Sequence, residues 1–590
     1  MYVKRHSVRR GENRYVYLRL VEAFRTESGQ VRHRVLANLG REDLLKASGQ
    51  LDQLAASFAR LDPPALGTRR EVGTLLLVQH YLDKLELTNL VDQAVPMRGR
   101  AFLTHGEVIA ALVANRLSAP SPLYDVAGWA SSSALAELLR TPAELLNDDR
   151  LGRALEAFAP VAEQVRSSAA LVAIRKFDVV DATRLHLDLT TVRFAGAYEH
   201  SSVVAKGWGA DRRVARQIRA EQATTSNGIS LYFRPHAGAS AEVSVLSQAL
   251  EQLTKNLPAA PLVVADSALG HLANLCAAHR TGARFIVPLR ANTGWLDHFA
   301  KEVGSLDELR DLDYVSQREQ RLPPERRTKW RGLLRPWTVA DPVTAKQIDL
   351  CVAFIWSSEE AASVSAARQR ALDKLCAALA RIGNGLGRRY YKTQQAVDRK
   401  VAKLVEPKLS SLIRVSTGTD ATGKPTLDWA LDEQALRETS RFDGLYALAT
   451  NLRDPHDRSL TAQDVLAVYK DQWLVEQRHR DLKQTLRVRP VFLHNDDRIQ
   501  ALASVLGLAL LVFSLIEADL RARLDDKRTL PNLLPERRAA KPTGRNILNA
   551  FAGLGLTYTH RGIALDPLNP TQRKILDLLD IPLPWPEAPS

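Results

Sequence analysis

Three cysteines in 590 residues, Cys276, Cys351 and Cys376, are too few and too scattered for a disulfide scaffold. None has a CxxC neighbour, so the usual spacing of a structural zinc site is missing too. So sparse a set fits a reducing compartment. The N-terminus, MYVKRHSVRRGENRYVY, contains no apolar run and does not read as a signal peptide. No stretch supplies the ~20 uninterrupted apolar residues of a membrane span. The most hydrophobic one, 499–516, is interrupted by Gln500, Ser504, Gly507 and Ser514 and closes at Glu517, which predicts a buried core helix. Internal repeats and low-complexity tracts are lacking as well. These absences predict a soluble, cytoplasmic protein with no membrane partner.

Negative charge is the scarcer sign: 66 Asp and Glu stand against 81 Lys and Arg, a net +15. The surplus is spread over many segments, which favours a polyanion partner over a targeting signal. An apolar content of 45% and a charged content of 25% are ordinary for a globular protein. The length exceeds one hydrophobic core and implies roughly three to four domains.

Along the chain, 1–45 carries a basic β-hairpin. Two alternating runs flank the turn residues Glu27, Ser28, Gly29 and Gln30, and the arms hold Arg14, Arg19, Arg25, Arg32 and Arg34. Residues 46–172 read as helices with apolar residues three and four apart, a module suited to DNA binding. From 173 to 292 strands alternate with helices, the pattern of an α/β layer. Residues 293–440 break the alternation and read as an insertion. It resumes over 441–525, and 526–590 forms a tail. Within the insertion, 318–337 mixes basic residues with Trp330 and Trp337, a composition that suits DNA contact, with Trp330 and Arg331 as candidates. The segment GTDATGK at 418–424 imitates a phosphate loop. Pro425 stands where the magnesium-binding hydroxyl belongs, so no nucleotide cofactor is expected.

The segment VYKDQWLVEQRHRDLKQTL carries the chemistry. Tyr469, Trp473, Glu476, Arg480 and Lys483 are spaced four, three, four and three, which places them on one stripe of a continuous helix. Two further acids lie in strand-like runs. Asp188 alternates with the leucines of LHLDLTT, and Asp266 ends the buried run LVVAD, where α/β folds place ligand and metal groups. Three carboxylates suggest a Mg²⁺ or Mn²⁺ site, and a basic chain around such a site suggests cutting or joining of nucleic acid.

With those residues in view, the sequence resembles insertion-sequence transposases of the DDE class, in the insertion-sequence-four superfamily. Their signature is Y-x2-R-x3-E-x6-K. Tyr469, Glu476 and Lys483 match it; Gln472 stands at the Arg position, and Arg480 on the same stripe is the alternative phosphate contact. LDLTTVRF, KGWGADRR, VVADSAL, FDGLYALATN and LRVRPVFLHNDDRI resemble the flanking segments, and the hairpin ending VLANLG resembles one branch. The resemblance implies a multidomain α/β protein: an RNase H-like core interrupted by an insertion domain, behind an N-terminal β-hairpin and a helical DNA-binding module. It implies Asp188, Asp266 and Glu476 as the catalytic acids holding two Mg²⁺ (or Mn²⁺) ions. Asp181 is a rival for the first acid. Tyr469, Arg480 and Lys483 are implied as DNA contacts, and the partners are double-stranded DNA, both terminal inverted repeats and target, and a second copy of the chain. A transposase-derived binding protein without activity and an RNase H-like nuclease without strand transfer are the alternatives.

Overall fold

The computed structural model describes residues 2–588 except 12, 26–30, 48–64, 98–101, 210–212, 241–247, 255–256, 258–259, 453–459, 487–492, 525–528, 535 and 537. The expected turn at 27–30, part of the KGWGADRR loop and most of the segment after the Glu476 helix thus lie outside the described residues. The chain divides into two compact units, one of residues 1–172 with 490–590 and one of 173–489.

In the first unit the basic hairpin gains a third strand: Tyr2–Arg10, Asn13–Arg25 and Val31–Arg41 form one antiparallel sheet in chain order. The short helix Glu42–Ala47 follows, and its Leu45 lies against Gly40. The apolar run after Thr74 is two helices, Leu75–Lys84 and Leu87–Ala94, because Glu86 takes a left-handed conformation (φ 56°). The 27-residue helix Asp496–Ala522 is long and apolar enough to cross a membrane, yet 94% of its most apolar window is buried inside the protein. It belongs to this unit, not to the α/β segment beside it in sequence. The Tyr81 hydroxyl donates to Asp519 at 2.8 Å, and Arg498 pairs with Glu156 at 2.9 Å. The expected tail is also structured: Gly555–Thr559 pairs with Gly562–Leu565 and with Arg69–Glu71.

The second unit is built on a mixed ten-stranded sheet. Arg184–Arg193 lies parallel to Leu262–Ala265, which lies parallel to Arg284–Pro288. The hydrophobic run at 262–265 is buried throughout, as expected for an inner parallel strand covered on both faces. One face carries helix Ala462–Lys470, whose Val465 and Leu466 pack on Val264, Ile286, Ile355 and Leu448. On the other, helix Leu272–Arg280 packs over Val263, Ala265, Phe285 and Val287. This mixed α/β layering is consistent with an RNase H-like core.

The stretch 293–440 does not stand apart as a whole. Strands Trp330–Ala340 and Gln347–Ser357 extend the same sheet, the latter pairing with Leu445–Thr450. The charges of 318–337 mask the alternation of the first, whereas DLCVAFIW at 349–356 reads as a strand from sequence, as found. What remains is a helical pair, Ser358–Gly383 and Gln394–Leu404, with the hairpin Ile413–Thr419 and Pro425–Leu431. These share a small core of Leu375, Leu379, Ile382, Val397, Val401 and Ile413.

Candidate functional site

Parallel pairing sets two acids side by side. Leu187 is the register partner of Ala265, so the residues that follow, Asp188 and Asp266, emerge on neighbouring strands about 4.8 Å apart. Asp266 ends its strand and turns the chain: its Oδ1 accepts the Ala268 backbone N–H at 2.9 Å, and Arg290 Nε donates to the Ser267 carbonyl at 2.6 Å. Burial raises the Asp266 carboxyl above its ordinary range, opposed by the Ala268 N–H and by Arg290. Asp188 Oδ1 accepts the Leu189 N–H at 2.7 Å. The rival Asp181 caps an exposed turn instead, bonded to the Thr183 N–H and hydroxyl at 2.9 and 2.6 Å.

Glu476 comes from a helix that is not the continuous one expected. Helix Ala462–Lys470 ends just after Tyr469, and helix Trp473–Arg480 begins after Gln472. Between them the bonds tighten to a three-residue step: Gln472 N–H to Tyr469 O, Leu474 to Asp471 and Val475 to Gln472. After Arg480 the chain widens into a π-turn, Asp481–Thr485, closed by Leu486 N–H to Asp481 O. Such departures from α-helix recur at functional sites. The physical cause here is anchorage to the sheet. Gln472 Nε2 donates to the Leu187 carbonyl at 3.2 Å, and Arg478 Nε donates to the Gly228 carbonyl at 2.6 Å.

The expected stripe is therefore split. Glu476, Arg480 and Lys483 are exposed, while Tyr469 is half-buried on the preceding helix. Tyr469 nevertheless senses all three acids. Burial first, then Asp266, Glu476 and Asp188, push its hydroxyl up to about 12, so it stays protonated. Three carboxylates from three separate elements thus act electrostatically on one tyrosine. Among the described residues no three His, Cys, Asp or Glu side chains are already gathered at metal-ligand distance. By chemistry these are hard oxygen donors of the type a dication takes, two of them on adjacent strands.

Sequence reasoning missed the inward face of the Glu476 helix. Gln472, Val475, His479 and Leu482 repeat at three, four and three, one position off the exposed stripe, and that spacing was the available signal. His479 Nδ1 lies 3.6 Å from Asp188 Oδ2. Burial, and then Lys483, push its pKa down to about 3, so the ring is neutral. Below the acids, His186 is buried and pushed down to about 4 by desolvation and by Arg184, with Gln472 beside it.

Of the two tryptophan-stretch candidates, Trp330 lies in the core against which Tyr469 packs, not on an exposed face. Trp330 is 6% exposed, packs edge-on against Tyr314 and has the Lys470 ammonium 4.6 Å above its ring. It is unable to stack on a base. Arg331 lies 4.5 Å over the Trp356 ring. Both belong to a strand, where alternate residues must face the core.

Three family models match the chain. Residues 3–65 match the IS1634 family transposase, N-terminal domain; 68–164 match a domain of unknown function (DUF4277); and 179–512 match the transposase DDE domain. The last covers more than half of the chain and contains Asp188, Asp266 and Glu476. No curated protein matches the chain.

Proposed function

Because the chain belongs to the transposase DDE-domain family, we propose that it binds the ends of a mobile DNA element and catalyses metal-dependent strand cleavage and strand transfer, as in cut-and-paste transposition. The placement of Asp188 and Asp266 side by side on parallel strands, with both and Glu476 acting electrostatically on Tyr469, carries this reading. Tyr469, Glu476 and Lys483 are read as a Y-x2-R-x3-E-x6-K motif of the insertion-sequence-four type, with Gln472 in its Arg position.

The three acids would hold Mg²⁺ or Mn²⁺, two ions in this reading, which when bound supplies charge to offset the phosphate and to acidify water. The protein's own groups do the rest. Tyr469, protonated, donates a hydrogen bond toward a phosphate oxygen. Arg480 and Lys483, exposed on the outer face, hold the DNA backbone next to Glu476. Neutral His479 flanks Asp188 and adds no competing positive charge among the ligands. Each step exchanges one phosphorus–oxygen bond for another: water attacks at the element end and frees a 3′-OH, which attacks target DNA. Positioning and charge suffice for such in-line transfers, and no nucleotide cofactor is needed. Two ends handled together imply two copies of the chain.

The test is an assay of duplex DNA bearing the inverted repeats that flank the coding sequence, with Mg²⁺, for wild type and Glu476→Gln. Wild type is expected to give cleaved and joined products, and the variant neither. Full activity in the variant would overturn the assignment. Cleavage without joining would reduce the protein to a nuclease.

A further inference from the structure

We propose that the helical pair Ser358–Gly383 and Gln394–Leu404 carries a second DNA-backbone surface, separate from the acids. It rests on DNA being the substrate but not on the catalytic assignment. Residues 381–408 hold eight Lys and Arg against two acids, so six of the chain's fifteen net positive charges fall within 28 residues. Arg388, Arg389, Lys392, Arg399, Lys400 and Lys403 are all exposed, and among the described residues none of them has an acidic partner. Several cations elsewhere in this stretch of chain are already engaged. Arg368, nearer the sheet on the same long helix, is locked to Asp443. In the basic stretch 318–337, Arg318 pairs with Glu359, Arg327 donates to the Leu322 and Gln320 carbonyls, and Arg331 covers Trp356.

The local fold presents the patch rather than merely exposing it. Between the helices, Gly387 N–H bonds to Tyr391 O at 2.9 Å and Tyr391 N–H to Arg388 O at 2.8 Å, which closes a tight turn. Gly387 takes φ +74° there, a conformation that suits glycine. Tyr391 tucks onto the small core. Arg388, Arg389 and Tyr390 are left pointing outward, Tyr390 74% exposed with the Arg389 guanidinium 5.6 Å from its ring centre. On the second helix, Val397 and Val401 face the core while Arg399 and Lys403 share the outer face one turn apart. Like charges at that spacing weaken a helix unless an anion lies over them. Duplex DNA, a regular array of phosphates, is the anion that fits a rigid basic face with one aromatic at its edge. The first helix has 26 residues and so spans about 39 Å. The turn that carries Arg388, Arg389 and Lys392 follows its end remote from strand Gln347–Ser357.

The experiment measures binding of the full chain to a 50-base-pair duplex of arbitrary sequence, and to the matching single strand, in EDTA over a range of salt. Two variants are compared with wild type, Arg388→Gln/Arg389→Gln/Lys392→Gln and Arg399→Gln/Lys400→Gln/Lys403→Gln. The control is Lys301→Gln/Arg310→Gln/Lys346→Gln, which neutralises three exposed cations elsewhere in the unit. Each patch variant is expected to lower the slope of log affinity against log salt by about 2 to 3 on the duplex, at about 0.9 for each phosphate no longer neutralised. Duplex affinity should fall tenfold or more. The proposal is overturned by an unchanged slope, by an equal drop in the control, or by a loss confined to the single strand. Because EDTA removes metal, the result stands whether or not Glu476→Gln abolishes cleavage.

Discussion

The Gln472 side-chain amide donates to the carbonyl oxygen of Leu187, the residue just before Asp188, at 3.2 Å. One hydrogen bond thus ties the start of the Glu476 helix to the strand bearing the first acid. Gln472 is turned toward the sheet, so in the proposed reading it positions the acids instead of touching phosphate. Gln472→Ala is expected to slow Mg²⁺-dependent cleavage tenfold or more while costing only about 1 kcal/mol of stability. DNA affinity in EDTA should stay within twofold of wild type. A large loss of affinity with normal turnover would show that Gln472 contacts DNA after all.

Arg478 anchors the other end of that helix. Its side chain is 2% exposed and bonds the Gly228 carbonyl at 2.6 Å and Asp481 at 2.8 Å. Removing it leaves Asp481 without its cation and opens a cavity. Arg478→Ala should lower unfolding stability by about 3–5 kcal/mol in urea titration. Arg478→Lys should recover less than half of that loss, because an ammonium lacks the forked geometry. A neutral effect of the alanine variant would mean that the helix is held by its apolar face alone.

His186 makes stability depend on pH. Burial, and then Arg184, hold its folded-state pKa near 4, below the ordinary 6.5. The unfolded chain therefore takes up the proton first as pH falls. The contribution of neutral His186 is full above pH 6.5 and is lost between there and about 4, by at most about 3 kcal/mol. His479, held near 3, acts in the same direction. Melting temperature should decline from pH 7 to pH 4.5, and His186→Leu should flatten the decline. An unaltered pH profile in that variant would remove His186 from the explanation.

Trp330 separates packing from DNA contact. With its ring between Tyr314 and the Lys470 ammonium, Trp330→Ala should destabilise by about 3–5 kcal/mol. Affinity for duplex DNA, measured well below the melting temperature, should be unaffected. Weakened binding at intact stability would return Trp330 to the DNA surface.

Local pattern was enough to propose the acids. The alternation of Leu185, Leu187 and Leu189 placed Asp188 on the face opposite them, and the uninterrupted run before Asp266 marked an inner strand. Both signals need only neighbouring residues. The spacing of Tyr469, Glu476 and Lys483 was legible for the same reason. Its continuity as one helix was not, because the break at Asp471 and Gln472 is made by a carbonyl of residue 187, remote in sequence. The basic stretch 318–337 reads as a DNA contact by composition. Its Trp330 is a core residue because its strand joins the edge of the sheet. The cations of 381–408 lie in a turn and on a short second helix whose apolar side is too short to announce a core of its own.

The sequence by itself pointed to a DDE transposase, to three candidate acids and to the positive surplus, since each is written in residue type and short-range spacing. Tertiary structure decided the rest. It split the stripe between two helices, turned Gln472 and His479 inward toward Asp188, and placed helix Asp496–Ala522 with the N-terminal unit. It also showed, among the described residues, which cations are already paired and which face outward without an acid. Those outcomes depend on hydrogen bonds and burial between residues far apart in the chain, and these form only when the sheet does.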